Sequence, residues 1–141
     1  MPGVKREPSL IRTEWGRQLL VLERGRAPGE WSEVAARVHA EAMPRLATLL
    51  GAAGVHAILR RSAKLGAHSF PWLAESGTID TPASLRTALQ GQPSELAFEA
   101  AATLFATFFA QLETFIGRRL TMQLLRGCWP ELGDAERDAP R

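Results

Sequence analysis

Tyrosine is absent from the 141 residues, and cysteine occurs once, as Cys128. A single thiol cannot form a disulfide within the chain, so packing and hydrogen bonds must hold the fold together. Valine and isoleucine are also scarce, at 5 and 4 residues, whereas alanine and leucine number 22 and 19. Because strands favour β-branched and aromatic residues and helices favour alanine and leucine, this composition excludes an all-β fold and argues against a parallel α/β sheet.

The sequence shows no signal for export or membrane insertion. Residues 1–8 contain no apolar segment of the kind that a secretory signal needs. The most apolar stretch, residues 96–116, includes Glu99, Gln111 and Glu113, and a carboxylate in an isolated membrane span costs about 2.5–3.5 kcal/mol. We therefore expect this stretch to be a core helix, and we expect a cytoplasmic protein without membrane contact.

Lysine is rare as well, since 15 of the 17 basic residues are arginine. The net charge is +2 and the isoelectric point is about 9.3, values that raise the question of nucleic-acid binding. Residues 27–129 carry 9 basic and 8 acidic residues, so the basic surplus lies in the first 26 residues. Binding to a polyanion needs a concentrated basic patch more than a high isoelectric point. The charge distribution therefore argues against nucleic acid as the partner.

Apolar residues recur with the helical period along most of the chain. Breaks fall at residues 25–29, 51–54 and 75–80, and Thr81 followed by Pro82 is a strong helix-start signal. Ser94 is the predicted cap of the longest helix. The predicted helices cover residues 10–24, 30–50, 55–68, 81–90, 94–116 and 118–126.

These helices predict one all-α domain, a bundle of five or six helices over residues 10–130. Residues 1–9 contain two prolines and mixed charge, and we interpret them as a flexible arm. Residues 131–141 are acidic and end near a proline, which indicates a flexible acidic tail.

The predicted helix over residues 94–116 has an aromatic side and a side of small residues. Five of the six phenylalanines fall between residues 98 and 115, and Ala106 and Ala110 lie on the small side. The turn with Phe70, Trp72 and Leu73 adds apolar surface. These five named residues are the predicted partner-binding surface, and we expect a homodimer through them. The alternative is that helices 10–24 and 81–90 cover this surface within one chain.

No sequence motif for catalysis or for a cofactor is present. The chain lacks a glycine-rich phosphate loop and the HExxH, CxxC and GxSxG motifs. We therefore expect no catalytic residues, no cofactor and no metal ion. His39 has Ala42 and Met43 at the positions where a second metal ligand would stand. We predict that His39 is a partly buried structural residue whose ring nitrogens are hydrogen-bonded.

His56 is the residue with the strongest indication of chemistry. It lies at the edge of an apolar stripe and is followed by Arg60, Arg61 and Lys64, cations that could hold a phosphoryl group. This pattern resembles, loosely, the histidine phosphotransfer domains, in which lysine and glycine follow the phosphoacceptor by three and four residues. Leu59 and Arg60 occupy those positions here, so the defining pair is absent. The other interpretation is a surface histidine beside ordinary arginines.

The leading interpretation of the whole sequence is a non-enzymatic helical interaction or regulatory protein. Such a protein would act by binding another protein and would form a homodimer. The first alternative is a histidine-phosphotransfer-like signalling bundle with His56 as the phosphoacceptor. The second alternative is a small-ligand-binding or enzymatic helical domain, of a class that the sequence does not specify.

Overall fold

A computed structural model of the protein describes residues 13–75 and 77–132. These residues form six α-helices and a short 3-10 helix, with no strand among them, and the helices pack against one another. The helices are α1 (Thr13–Arg26), α2 (Trp31–Leu50), α3 (Ala52–Gly66), the 3-10 helix (Pro71–Ala74), α4 (Pro82–Gln90), α5 (Ser94–Ile116) and α6 (Arg118–Cys128). The prediction of an all-α bundle with five or six helices is confirmed. The predicted arm and most of the predicted tail lie outside the described residues.

Helix ends agree with the sequence where the capping signal is strong. Thr81 caps α4, because its hydroxyl accepts a hydrogen bond from the Ser84 N–H at 3.0 Å. Pro82 is the first helical residue, as predicted. The predicted Ser94 cap is wrong, because Ser94 is the first residue of α5 and Pro93 precedes the helix. The extended backbone of Pro93, with φ −57° and ψ 150°, supplies the non-helical entry that a cap requires.

Two single-glycine turns join long helices. Gly51 connects α2 to α3 and Gly117 connects α5 to α6, with φ of 85° and 89°, a backbone region that favours glycine. Because one residue suffices for the first turn, α3 begins at Ala52, three residues before its predicted start. α3 also ends at Gly66, two residues before its predicted end. α1 and α6 each continue two residues past their predicted ends.

α5 is the central helix of the bundle. Its side chains Phe105, Phe108 and Phe109 are fully buried. α1, α2, α3 and α6 pack around it, whereas α4 packs mainly on α2. α1 approaches most closely, since a Cβ at Gly16 would lie 2.1 Å from the carbonyl oxygen of Ala102. None of the helices in the described ranges, α5 included, is long and apolar enough to cross a membrane.

A buried carboxylate connects α1, α2 and the end of α6. Glu23 accepts hydrogen bonds from Trp129 Nε1 at 3.0 Å and from Arg37 Nε at 3.2 Å. Arg26, on the same helix, lies 3.5 Å from Glu23 and also donates to the carbonyl oxygen of Cys128. These contacts fix the end of α6 against α1. The packed part of the chain continues past α6, since Leu132 is fully buried and its carbonyl oxygen accepts from Arg126 Nε at 3.0 Å.

Candidate functional site

A cleft of about 300 Å³ opens between α2, α3 and the start of α4. Most of its walls are apolar, and these walls come from all three helices. The apolar lining consists of Ala40, Met43, Pro44, Ala47, Ala52, Val55, Leu59 and Pro82. His39, His56 and Asp80 complete the lining. We call this feature the histidine cleft.

The end of the histidine cleft at the Gly51 turn is apolar, whereas the other end carries polar groups among apolar ones. Since the chain turns at Gly51 between α2 and α3, Ala47 and Ala52 lie beside that turn. His39 precedes Ala47 by eight residues, or about two helical turns. A ligand lying along the cleft would therefore meet apolar groups at the turn end, and it would meet Asp80, with the His56 ring 3.6 Å from it, farther along.

His39 is held on one ring nitrogen and unpaired on the other. The side chain is buried, at 4% exposure, and its Nε2 lies 3.0 Å from the carbonyl oxygen of Ile79. Because a carbonyl oxygen can only accept, Nε2 carries the proton and donates it. Nδ1 has no hydrogen-bond partner among the described residues, so the prediction that both ring nitrogens are bonded is wrong. Burial lowers the pKa of His39, which favours the neutral ring.

His56, Arg60 and Asp80 form a polar cluster at the mouth of the cleft. Arg60 Nε donates to His56 Nε2 at 2.6 Å, one helical turn away on α3. The Asp80 carboxylate lies 3.6 Å from His56 Nε2 through Oδ1 and 3.8 Å from Arg60 Nη2 through Oδ2. Since Nε2 accepts, the other ring nitrogen of His56 carries a proton, and it makes no hydrogen bond to a described residue. The cluster thus combines one positive charge, one negative charge and a free N–H donor.

The structure brings only one of the three predicted supporting cations to His56. Arg60 contacts the imidazole, whereas Arg61 and Lys64 are exposed residues of α3 with no ion pair to a described residue. Asp80 was not among the predicted site residues, and its carboxylate faces the ring nitrogen that a phosphoryl group would need.

The predicted partner-binding surface is divided between the core and the surface. Leu73 and Ala106 are buried, and Leu73 packs so tightly that a Cβ at Gly66 would lie 3.1 Å from its Cδ1. Phe70, Trp72 and Ala110 are half-buried. A partner could reach these last three residues, but it could not reach Leu73 or Ala106 without moving the helices.

The cysteine is part of the packed core. Cys128 is buried, and burial raises the pKa of its thiol, which disfavours the reactive thiolate. Across residues 13–75 and 77–132, no three histidine, cysteine or carboxylate side chains come together in a way that could hold a metal ion.

Sequence reasoning identified His56 and Arg60 but did not connect them with His39 or Asp80. His56 and Arg60 are four residues apart on one helix, so their contact is visible in the sequence. His39 reaches Ile79 across 40 positions, and no local pattern signals that pairing. For Asp80, the sequence offered only the helix-start signal at Thr81, which places Asp80 directly before the cap of α4.

Comparisons of this chain with models of known protein families, with curated proteins and with solved structures yield no match. The site must therefore be interpreted from its own chemistry.

Proposed function

We propose that this protein is a non-enzymatic binding protein whose ligand enters the histidine cleft. The observation that carries the proposal is the composition of this cleft of about 300 Å³, which has mostly apolar walls and three polar lining residues, His39, His56 and Asp80. Ligand-binding sites have this composition: a mostly apolar lining excludes water, and a few polar groups orient the ligand.

The state of the polar groups favours binding over covalent chemistry. His39 uses its Nε2 proton to hold the Ile79 carbonyl, so that proton is committed to the fold. His56 Nε2 already accepts from Arg60 and lies 3.6 Å from the Asp80 carboxylate. An incoming phosphoryl group would be repelled by that carboxylate, because like charges at short range disfavour each other. Both histidines are better placed to orient a ligand than to form a bond with it.

Titration of the full-length protein with isobutanol, a small probe with a branched apolar body, tests this proposal. In ¹H–¹⁵N correlation spectra, we expect shift changes confined to the amides around Met43, Ala47, Val55 and Leu59. Ala47→Leu should fill the turn end of the cleft and suppress these changes. The matched control is Ala53→Leu, at an exposed α3 position outside the lining, which should leave them intact. Shifts scattered over the surface, or unaffected by Ala47→Leu, would overturn the proposal.

Self-association, which is one part of the leading interpretation from the sequence, is a second candidate function. Gln111 Nε2 donates to Ser62 Oγ at 2.8 Å, and a Cβ at Gly66 would lie 4.0 Å from Thr103. α3 therefore runs antiparallel to α5, and the two single-glycine turns lie at the same end of the bundle. We call this end the glycine end.

Exposed apolar side chains at the glycine end favour self-association there. Phe115 is 67% exposed, and Leu49 and Leu120 are 49% and 36% exposed. A dimer with two-fold symmetry would bury like surface against like surface.

The mass in solution, measured by light scattering, tests self-association. We expect a species of twice 15.4 kDa for the wild type, and a monomer for Phe115→Ser. Ala110→Trp is the control, because it alters the surface predicted from the sequence and not the glycine end. A wild type that stays monomeric at high micromolar concentration would reject this candidate function.

A further inference from the structure

We propose that the histidine cleft takes a small zwitterion with a branched apolar body, of the kind represented by a free aliphatic amino acid. This inference rests on the proposed function and adds the chemical class of the ligand. Its basis is that His56 and Asp80 line a mostly apolar cleft and that Arg60, next to this lining, contacts both of them.

The size of the histidine cleft selects a small ligand. At about 300 Å³, it stands at the lower limit of the roughly 300–1,000 Å³ that small-molecule sites occupy. The apolar walls run from the polar end to the Gly51 turn, with Val55 and Leu59 on one side and Met43 and Ala47 on the other. A short branched hydrocarbon chain fits this shape, and a nucleotide or another large cofactor does not.

The charges at the polar end favour a ligand whose head group carries one positive and one negative charge. Arg60 and Asp80 form an ion pair with 3.8 Å between Nη2 and Oδ2. Because this distance is too long for a hydrogen bond, each side chain keeps hydrogen-bonding capacity for a ligand. An ammonium group alone would pair with Asp80 but would face the Arg60 guanidinium. A carboxylate alone would pair with Arg60 but would face Asp80. A zwitterion satisfies both residues and leaves neither charge opposed.

His56 orients the guanidinium that would hold the carboxylate of such a ligand. Its Nε2 accepts from Arg60 Nε, which leaves the Nη groups of Arg60 as donors for a carboxylate. The side chains of His56, Arg60 and Asp80 are 42%, 56% and 29% exposed, so a ligand can reach them from solvent without opening the bundle.

Three compounds with the same isobutyl group separate the head-group requirement from binding of the apolar body. L-Leucine carries both charges, 3-methylbutylamine carries only the ammonium, and 4-methylpentanoate carries only the carboxylate. We expect calorimetric titration of the full-length protein to show binding of L-leucine at least about tenfold tighter than either analogue, since a charge-assisted hydrogen bond contributes about one such factor.

Variants at the polar end complete the test. Asp80→Asn should reduce L-leucine binding to the level of 4-methylpentanoate, and Arg60→Gln should reduce it to the level of 3-methylbutylamine. Arg61→Gln is the matched control, because it removes a neighbouring exposed charge that, unlike Arg60, forms no ion pair with Asp80, and it should bind like the wild type. Equal affinity for all three compounds, with isobutanol still shifting the cleft amides, would overturn the zwitterion and leave the proposed function intact. Failure of isobutanol as well would overturn both.

Discussion

Replacing Gly16 with alanine tests how closely α1 packs on α5. The added Cβ would lie 2.1 Å from the carbonyl oxygen of Ala102 and 2.9 Å from its carbonyl carbon. Real Cβ atoms essentially never come this close to another heavy atom. The obstacle is helix backbone and not the end of a flexible side chain, so a rotamer change cannot relieve it. α1 must therefore move away from α5.

Two opposing effects determine the size of the change in stability. Alanine is favoured over glycine in a helix interior by about 1 kcal/mol. Overpacking of a core costs about 1–3 kcal/mol, and the displacement would also loosen the Arg17–Glu99 pair, now at 2.8 Å. It would further expose Trp15 and Leu19, which are buried in the same face of α1. We expect a net loss of about 2 kcal/mol in the free energy of unfolding.

Urea denaturation followed by far-ultraviolet circular dichroism measures this loss. Gly25→Ala is the matched control, because it lies on the same helix and its added Cβ would meet no atom within 4 Å. We expect Gly25→Ala to leave the free energy of unfolding unchanged or to raise it by up to about 1 kcal/mol. If Gly16→Ala proved as stable as Gly25→Ala, the close approach of α1 to α5 would be refuted.

Two further predictions concern buried polar groups. Burial lowers the pKa of His39 below its usual 6.5, so the folded state favours the neutral ring. The stability that the neutral ring contributes is present above about pH 6.5 and is lost as the pH falls through the folded-state pKa. His39→Gln should therefore flatten the acid side of a plot of unfolding free energy against pH, and an unchanged slope would contradict this. Glu23→Ala should lower the free energy of unfolding by about 2–3 kcal/mol, because it leaves the Trp129 N–H buried without an acceptor. Glu41→Ala removes only an exposed ion pair and should change it by less than about 1 kcal/mol; equal losses in urea titrations would refute the role of Glu23.

Local sequence signals predicted the helices well and their ends less well. The helical period and the Thr81–Pro82 start are properties of adjacent residues, and the structure confirms both. Ser94 was predicted to cap α5, yet Pro93 holds that position. Both residues favour a helix start, so composition alone could not choose between them.

Two residues of the predicted partner-binding surface, Leu73 and Ala106, are buried within the chain. Ala106 and Leu73 are apolar residues at positions that a second chain could in principle cover, and a periodic pattern does not distinguish burial within a chain from burial between chains. Glycines at two helix contacts allow this burial, because Gly16 lets α1 lie directly on α5 and Gly66 lets Leu73 pack on α3. The consequence of one glycine depends on which helix faces it, and that information is tertiary.

The sequence by itself determined the helical class, the approximate positions of the helices and the neighbouring pair His56 and Arg60. Each of these depends on residues within a few positions of one another, where propensity and helical geometry act directly. Only the tertiary structure decided that His39 and Asp80 line one cleft with His56. The hydrogen bond from His39 to Ile79 spans 40 residues, and it forms because the residues before α4 pack against α2. The cleft exists because the side chains of α2, α3 and α4 leave a space between them unfilled. Local periodicity specifies which side of a helix is buried, whereas an unfilled space depends on the sizes of side chains contributed by several helices at once.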